Sequence, residues 1–277
     1  MAYFKCSGSG STKPNKDDYL IYKWDFTKSL VDEVNNVPLF ATRGNNIAIS
    51  NKGIQFTDKS DFVMIDLGSN VDLYNKTIEV EWGDFDLGTN SSTNHDMIAT
   101  PLKSKYDSAT NSISGGFAGF PLYFYGQSMF NLWTKTSKTP TSTSGGAGKL
   151  RWAVSGNYNT MRNYLQNKSY RFYCDRNTGS YFGAVDDLLV QCCNWNYPTG
   201  MSKVSPSNPF VSLDYNNTSE TTVTWAVLEN AYLVIGDARS ASSVNGGVKD
   251  CSLKEIRIYD GMFIDLSQLS YYEPIQS

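Results

Sequence analysis

At 277 residues, with 40% apolar and 18% charged side chains, the chain can bury a substantial core and is too apolar for a solvated, disordered polymer. A formal net charge of −3, with no run of Lys or Arg beyond isolated pairs, leaves no footprint for a nucleic-acid groove. No apolar stretch approaches the roughly eighteen residues a membrane helix needs, so no membrane span is expected.

The start, Met1-Ala2-Tyr3-Phe4-Lys5-Cys6, runs into Gly, Ser and Lys without the apolar segment of a signal peptide. Synthesis in a cytoplasm, without Sec export, is the expectation. Ser7 to Asp18 (SGSGSTKPNKDD) reads as a polar arm that tethers the domain or folds onto a partner, which sets a flexible arm at residues 1–18 and one domain at 19–277. The many Gly, Ser, Thr and Asn residues demand turns, and 18 Tyr, 14 Phe and 6 Trp favour sheets.

From Tyr19 the pattern alternates: Leu20, Tyr22 and Trp24 on one side, Ile21, Lys23 and Asp25 on the other. Gly53 to Phe56 and Phe62 to Leu67 are short strands about a turn at Asp58 to Asp61. Thr77 to Trp82 alternates most clearly, with Ile78, Val80 and Trp82 on a buried face and Glu79 and Glu81 on the solvent face. Beyond Leu87 the chain loosens into loop-like stretches (89–94, 112–119 and 135–148). Between the last two, Pro121 to Tyr125 and Met129 to Trp133 flank Gly126-Gln127-Ser128 as a hairpin.

Further strands are expected at Leu150 to Val154, Ser169 to Cys174, Leu188 to Trp195, Thr221 to Val227 and Ala231 to Ile235, and a short helical turn at Asp265 with Gln268 as a capping box. In the last strand Ile256 and Ile258 share a face, while Leu253, three residues before Ile256, falls out of phase. A β-bulge near Lys254-Glu255 returns Leu253 to the core. Five cysteines (Cys6, Cys174, Cys192, Cys193, Cys251) are an odd number in a chain read as unexported, so reduced thiols are expected rather than a disulfide framework. The single His95 lacks a Cys or His neighbour at zinc-ligand spacing.

Four blocks carry a resemblance: Trp24-Asp25-Phe26 with Leu30 and Asp32; Gly53 to Phe56 with Asp61 to Ile65; Thr77 to Trp82; and Leu233 to Gly236 followed by Leu253 to Asp260. They resemble the concanavalin A-like lectins and glucanases, in particular the laminin-G-like jelly rolls of bacterial surface proteins and phage virion proteins. The resemblance implies an all-β, two-sheet antiparallel jelly-roll sandwich, with Leu87 to Ser219 departing from the pattern as long insertions. Because a ligand site is normally built there, the family's binding residues do not transfer. The Met-Ala-Tyr-aromatic-Lys-Cys start and Gly/Ser arm also resemble virion proteins of phages infecting gut bacteria. That likeness implies a head or tail appendage or decoration protein, partnered with other virion proteins through the arm and assembled as a homo-oligomer, a trimer being common.

Sugars stack their CH-rich faces on aromatic rings while amides and carboxylates read the hydroxyls, so Trp133, Tyr158, Asn194, Trp195, Asn196 and Tyr197 are the ligand candidates, with Tyr164 beside them. Half or more of the rings are expected in the core. Glycoside hydrolysis needs two converging carboxylates, about 5 Å apart for retention. Glu79 and Glu81 share a face, but they sit in the wrong block for the glucanase catalytic strand and read as an ordinary solvated pair. Asp186-Asp187 with Asp175 and Asn194 could supply oxygens to Ca2+, which members of the superfamily bind; a solvated turn is the simpler reading, and no cofactor is expected. His95 beside Asp96 reads as a surface loop histidine, since no nucleophile elbow accompanies it. The sequons at Asn75, Asn90, Asn167, Asn216 and Asn217 read as chance in an unexported chain. The expectation is a non-catalytic, virion-associated protein with a lectin-like domain that binds surface glycan or neighbouring virion proteins. A jelly-roll glycan depolymerase and a ligand-free decoration protein are the alternatives.

Overall fold

The computed structural model describes residues 15–68, 73–85, 95–114, 117–125, 129–133, 149–154, 165–175, 180–194, 211–216, 230–239, 246–247 and 250–265. In chain order the strands are β1 (Leu20–Asp25), β2 (Ala41–Arg43), β3 (Ile54–Phe56), β4 (Phe62–Ile65), β5 (Lys76–Phe85), β6 (His95–Pro101), β7 (Tyr106–Asp107), β8 (Ser112–Ile113) and β9 (Phe117–Tyr125). There follow β10 (Met129–Trp133), β11 (Lys149–Val154), β12 (Ser169–Asp175), β13 (Ser180–Val185), β14 (Leu188–Asn194), β15 (Val211–Asn216), β16 (Leu233–Gly236), β17 (Gly246–Gly247) and β18 (Cys251–Asp260).

Two sheets share one core, as the all-β sandwich expectation requires. The seven-stranded sheet runs β1-β18-β5-β12-β13-β14, with β3 pairing the first part of β18 and β1 the second. The nine-stranded sheet runs β15-β11-β10-β9-β6-β16-β4-β2, with β17 added beside β6. Every pairing is antiparallel except β17 with β6. At one side the end strand β14 of the first sheet lies against β15 and β11 of the second. The stretch from Leu87 to Ser219, expected to hold long insertions, thus contributes strands to both sheets. The hairpin of β9 and β10 about residues 126–128 is present, with Met129 opposite Tyr125.

Period-two alternation decides what is buried. Ile78, Val80 and Trp82 of β5 are each fully buried, facing Val63, Ile65, Leu233 and Ile235 across the sandwich. The intervening residues of β4 and β16 are buried as well: Phe62, Met64 and Val234, with Tyr232 just before β16, form a second, smaller core against Ile113 and Tyr106 of the β7–β8 hairpin. A strand covered on both faces reads as an unbroken apolar run, which is how FVMI and LVIG are spelled.

The phase slip in β18 is a bulge. Leu253 pairs with Trp82 and Glu255 with Glu81, so Lys254 is the extra residue. Leu253 is fully buried with Ile256 and Ile258. The Lys254 carbonyl accepts from the Phe26 amide at 2.8 Å, tying the bulge to the end of β1.

The open edge of β1 is covered by the loop that follows it. The Lys23 amide donates to Asp32 Oδ1 at 2.5 Å, the Glu33 amide to the Lys23 carbonyl at 2.7 Å and the Asn35 side chain to the Ile21 carbonyl at 2.6 Å. Asp32 also caps the Asn35 amide at 2.5 Å and is 1% exposed. An uncovered edge invites pairing with another chain. Asp32→Ala is therefore expected to cost about 2 kcal/mol and to raise self-association, read by urea denaturation and by light scattering on warming. An unchanged midpoint would mean that the two remaining contacts suffice to hold the loop.

Asn15 to Asp18, assigned to the arm from composition, belong to the folded body. Lys16–Tyr19 forms a 3-10 turn capped by Asn15, whose side chain accepts from the Asp17 amide. Residues 1–14 lie outside the described set, as do Thr221 to Val227 and the capping-box partner Gln268.

Candidate functional site

Two polar-aromatic clusters occupy the outer faces of the sandwich. On the seven-stranded sheet, cross-strand register sets Lys23, Arg257, Glu79 and Arg171 in one row, and Asp25, Glu255, Glu81 and Ser169 in the next. Alternation does turn Glu79 and Glu81 away from the core, but the expectation of a solvated pair fails at Glu79, which is only 2% exposed. The Lys16 turn closes over it. Lys16 Nζ lies 3.3 Å from Glu79 and 5.4 Å from the Tyr259 ring centre, and Phe263 packs between Tyr259 and Tyr19. Beyond β18 the chain folds back there, held by Thr77, whose hydroxyl donates to the Gly261 carbonyl and accepts from the Phe263 amide.

Arg171 Nε is 3.3 Å and Arg257 Nη1 3.4 Å from Glu79. Burial pushes the Glu79 carboxyl up, but Arg171, Lys16 and Arg257 together outweigh it and hold it below the ordinary carboxylate range. Arg257 also contacts Glu81 at 2.9 Å and pairs with Glu255. Burial pushes Glu255 up, against the pull of Arg257 and Lys23 and with Asp25 and Glu81 adding to it. Glu81 and Glu255 face each other across two strands as a hydrolytic pair would, yet one guanidinium bridges both. In this arrangement the carboxylates hold the sheet's outer surface together.

The second cluster lies on the outer face of the nine-stranded sheet, at its β2 edge. Phe40 precedes β2, its amide bonded to the Met64 carbonyl at 2.8 Å; Tyr232 precedes β16, its amide bonded to the Pro101 carbonyl at 2.8 Å; Tyr106 opens β7. The Phe40 ring stacks on Tyr232 at 4.7 Å and 20°, and meets Tyr106 edge-on at 5.2 Å. Tyr232 is 6% exposed, Tyr106 half-buried and Phe40 43% exposed, so the cluster is a largely covered aromatic base carrying one more open ring.

Polar groups fix this base from both sides. Tyr106 donates to Asn111 Oδ1 at 2.9 Å, and Asn111 donates to the Thr42 carbonyl at 2.9 Å. The Arg43 guanidinium donates to the carbonyls of Ser60, Asn111, Asp237 and Arg239 and lies over the Phe62 ring at 4.9 Å. Beside Tyr232 sits the Lys103–Asp66 ion pair, with Lys103 Nζ 5.6 Å from the ring centre. Burial raises the Tyr232 hydroxyl above its usual range, Asp66 and Tyr106 adding to the effect, so it stays protonated at neutral pH.

The residues singled out by composition lie largely outside the described set. Trp133 ends β10 and Asn194 ends β14, both with side chains outside the described set; Tyr158, Tyr164, Trp195, Asn196 and Tyr197 lie wholly outside it. The four oxygen donors grouped for Ca2+ do not converge. Asp175 and Asn194 flank Ser180 at one end of β13, while Asp186 and Asp187 turn the chain at the other, about 17 Å away along the strand. Asp186 is taken up by Lys168 and the Ser169 amide, and Asp187 by Arg171. Among the described residues no group of three or more His, Cys, Asp or Glu could hold a metal ion. His95, read as a loop residue, opens β6 and pairs with Phe124. The Phe40–Tyr106–Tyr232 cluster escapes sequence reading because its members come from three distant segments. The available signal was a lone Phe placed beside a short strand in a polar loop.

No family model and no curated protein sequence matches the chain. Solved structures are similar in outline. Domain 4 of AbnA, an extracellular arabinanase of Geobacillus stearothermophilus in complex with arabinotriose, is 14% identical, with 88% of this chain and 93% of that one covered and a TM-score of 0.38. The sialidase of Trypanosoma rangeli in complex with sialic acid is 10% identical over 92% of this chain but 32% of its own length, with a TM-score of 0.43. The carbohydrate recognition domain of Emp47p is 10% identical over 90% of this chain and all of that one, with a TM-score of 0.38. At TM-scores below 0.5 these likenesses say nothing about what this chain binds.

Proposed function

We propose that this protein is a non-catalytic, lectin-like module that binds carbohydrate on the Phe40–Tyr106–Tyr232 platform. The observation that carries the reading is an exposed Phe40 ring stacked on buried Tyr232 and edge-on to half-buried Tyr106, with the Lys103–Asp66 pair on the Tyr232 side. A sugar's CH face stacks on such a ring while its hydroxyls reach the charged pair. A virion setting, with the segment before Asn15 engaging other particle proteins, is the wider form of the proposal. It is supported by the resemblance of the chain's start to phage virion proteins.

A glycan array probed with the purified chain tests the reading. Phe40→Ala is expected to weaken every hit about tenfold or more while lowering the unfolding midpoint by only a few degrees, because the ring is 43% exposed and gives up two aromatic contacts at the surface. Hits that survive Phe40→Ala would move the site elsewhere. No hit, together with stable association with capsid or tail proteins, would favour a decoration protein without ligand. Polysaccharide cleavage lost on Glu79→Gln or Glu81→Gln would overturn the non-catalytic reading.

A further inference from the structure

Among the described residues, the ion pair beside the platform leaves one acceptor and one donor unused. Asp66 takes its contacts through Oδ1, from the Gly68 amide at 2.8 Å and from the Lys103 ammonium. Among the described residues, nothing donates to Oδ2. The ammonium uses one proton on Asp66 and one on the Gly68 carbonyl at 3.0 Å, and an ammonium has three to give. Both side chains reach solvent, at 29% for Asp66 and 22% for Lys103. The Phe40 ring and this pair both border Tyr232: the ring stacks on it at 4.7 Å, and Lys103 Nζ lies 5.6 Å from its ring centre.

Resting on the glycan-binding reading of the same platform, we propose that the site takes a neutral sugar with a free vicinal diol, its ring over Phe40 and its two hydroxyls read by Asp66 Oδ2 and Lys103 Nζ. One hydroxyl donates to the carboxylate oxygen, and its neighbour accepts from the ammonium, so the Asp66–Lys103 pair stays intact. An acidic sugar fits less well. Its carboxylate would compete with Asp66 for the same ammonium and would sit against a like charge. Neither Tyr106 nor Tyr232 adds a positive charge to offset that repulsion.

Ligand-observed NMR with the full chain separates the outcomes, using the methyl glycosides of glucose, mannose and galactose as neutral probes and those of galacturonic acid and sialic acid as acidic ones. At least one neutral glycoside is expected to bind, at least tenfold better than either acidic one, and to weaken about tenfold in Asp66→Asn and again in Lys103→Met. Two variants are used so that misfolding of one, checked by its unfolding midpoint, leaves the other. Acidic glycosides binding as well as or better than neutral ones, or neutral binding indifferent to both variants, overturns the diol assignment. The platform survives those results if Phe40→Ala still abolishes binding. If no glycoside of either kind binds the wild-type chain, the platform reading falls with it.

Discussion

Gly53→Ala is expected to destabilise the fold by about 3–5 kcal/mol, lowering the unfolding midpoint by roughly 10 °C. Gly53 has φ +82°, and a Cβ there would stand 2.1 Å from the Leu253 carbonyl oxygen and 2.9 Å from Lys254 Cα. That backbone cannot step aside. Leu253 is fully buried and paired with Ile54 on one side and Trp82 on the other, and the Lys254 carbonyl is fastened to Phe26. Gly68 supplies the control. Its φ is also +82°, yet among the described residues nothing lies within 4 Å of its Cβ position, so Gly68→Ala should cost only the left-handed penalty of about 1–2 kcal/mol. Urea denaturation of both variants reads the difference. If Gly53→Ala costs no more than Gly68→Ala, the bulge yields to a methyl group and the steric account is wrong.

That bulge was legible in the chain because apolar residues on a half-buried strand must keep phase, and Leu253 breaks phase with Ile256. The same rule gave Ile78, Val80 and Trp82 as core, and the turn chemistry of Gly126-Gln127-Ser128 gave the β9–β10 hairpin its place. It fails where a property depends on what covers a face. Period two says that Glu79 and Glu81 point away from the core, but it says nothing of Lys16, 63 residues earlier, folding over Glu79. It also misses strands too short or too glycine-marked to show alternation, such as β2 with three residues or β13 with Gly183 in its middle. The candidate site was the least legible part. Phe40, Tyr106 and Tyr232 meet only because β2, β4 and β16 are neighbours and the β7–β8 hairpin lies over them. Composition drew attention instead to the Trp and Asn residues around 194–197, where aromatic and amide side chains are adjacent in sequence.

Glu79→Ala should cost about 3–5 kcal/mol, because it strands Arg171, Arg257 and Lys16 around a vacated, covered position. Glu79→Gln keeps the volume and removes the charge, so it isolates the electrostatic share. The sign follows from the carboxyl being held below its ordinary value of about 4.3. Its contribution is fully present above the unfolded-state pKa and is lost as pH falls through the folded-state value. Glu255, pushed up by burial, has the opposite sign and gains as it protonates, so the raw pH curve mixes the two. The difference between wild type and Glu79→Gln removes Glu255 to first order. It should be flat from about pH 7 to pH 5 and shrink steadily below that, in chemical denaturation repeated across the range. A difference that stayed constant down to pH 3 would mean that Glu79 binds its proton equally in the folded and unfolded states, and one that grew on acidification would reverse the sign of its shift. The second result would mean that burial, not the arginines, governs this carboxyl. Glu79 would then hold its proton to a higher pH than a free carboxyl, the direction a general acid needs, and the depolymerase reading would regain a candidate residue.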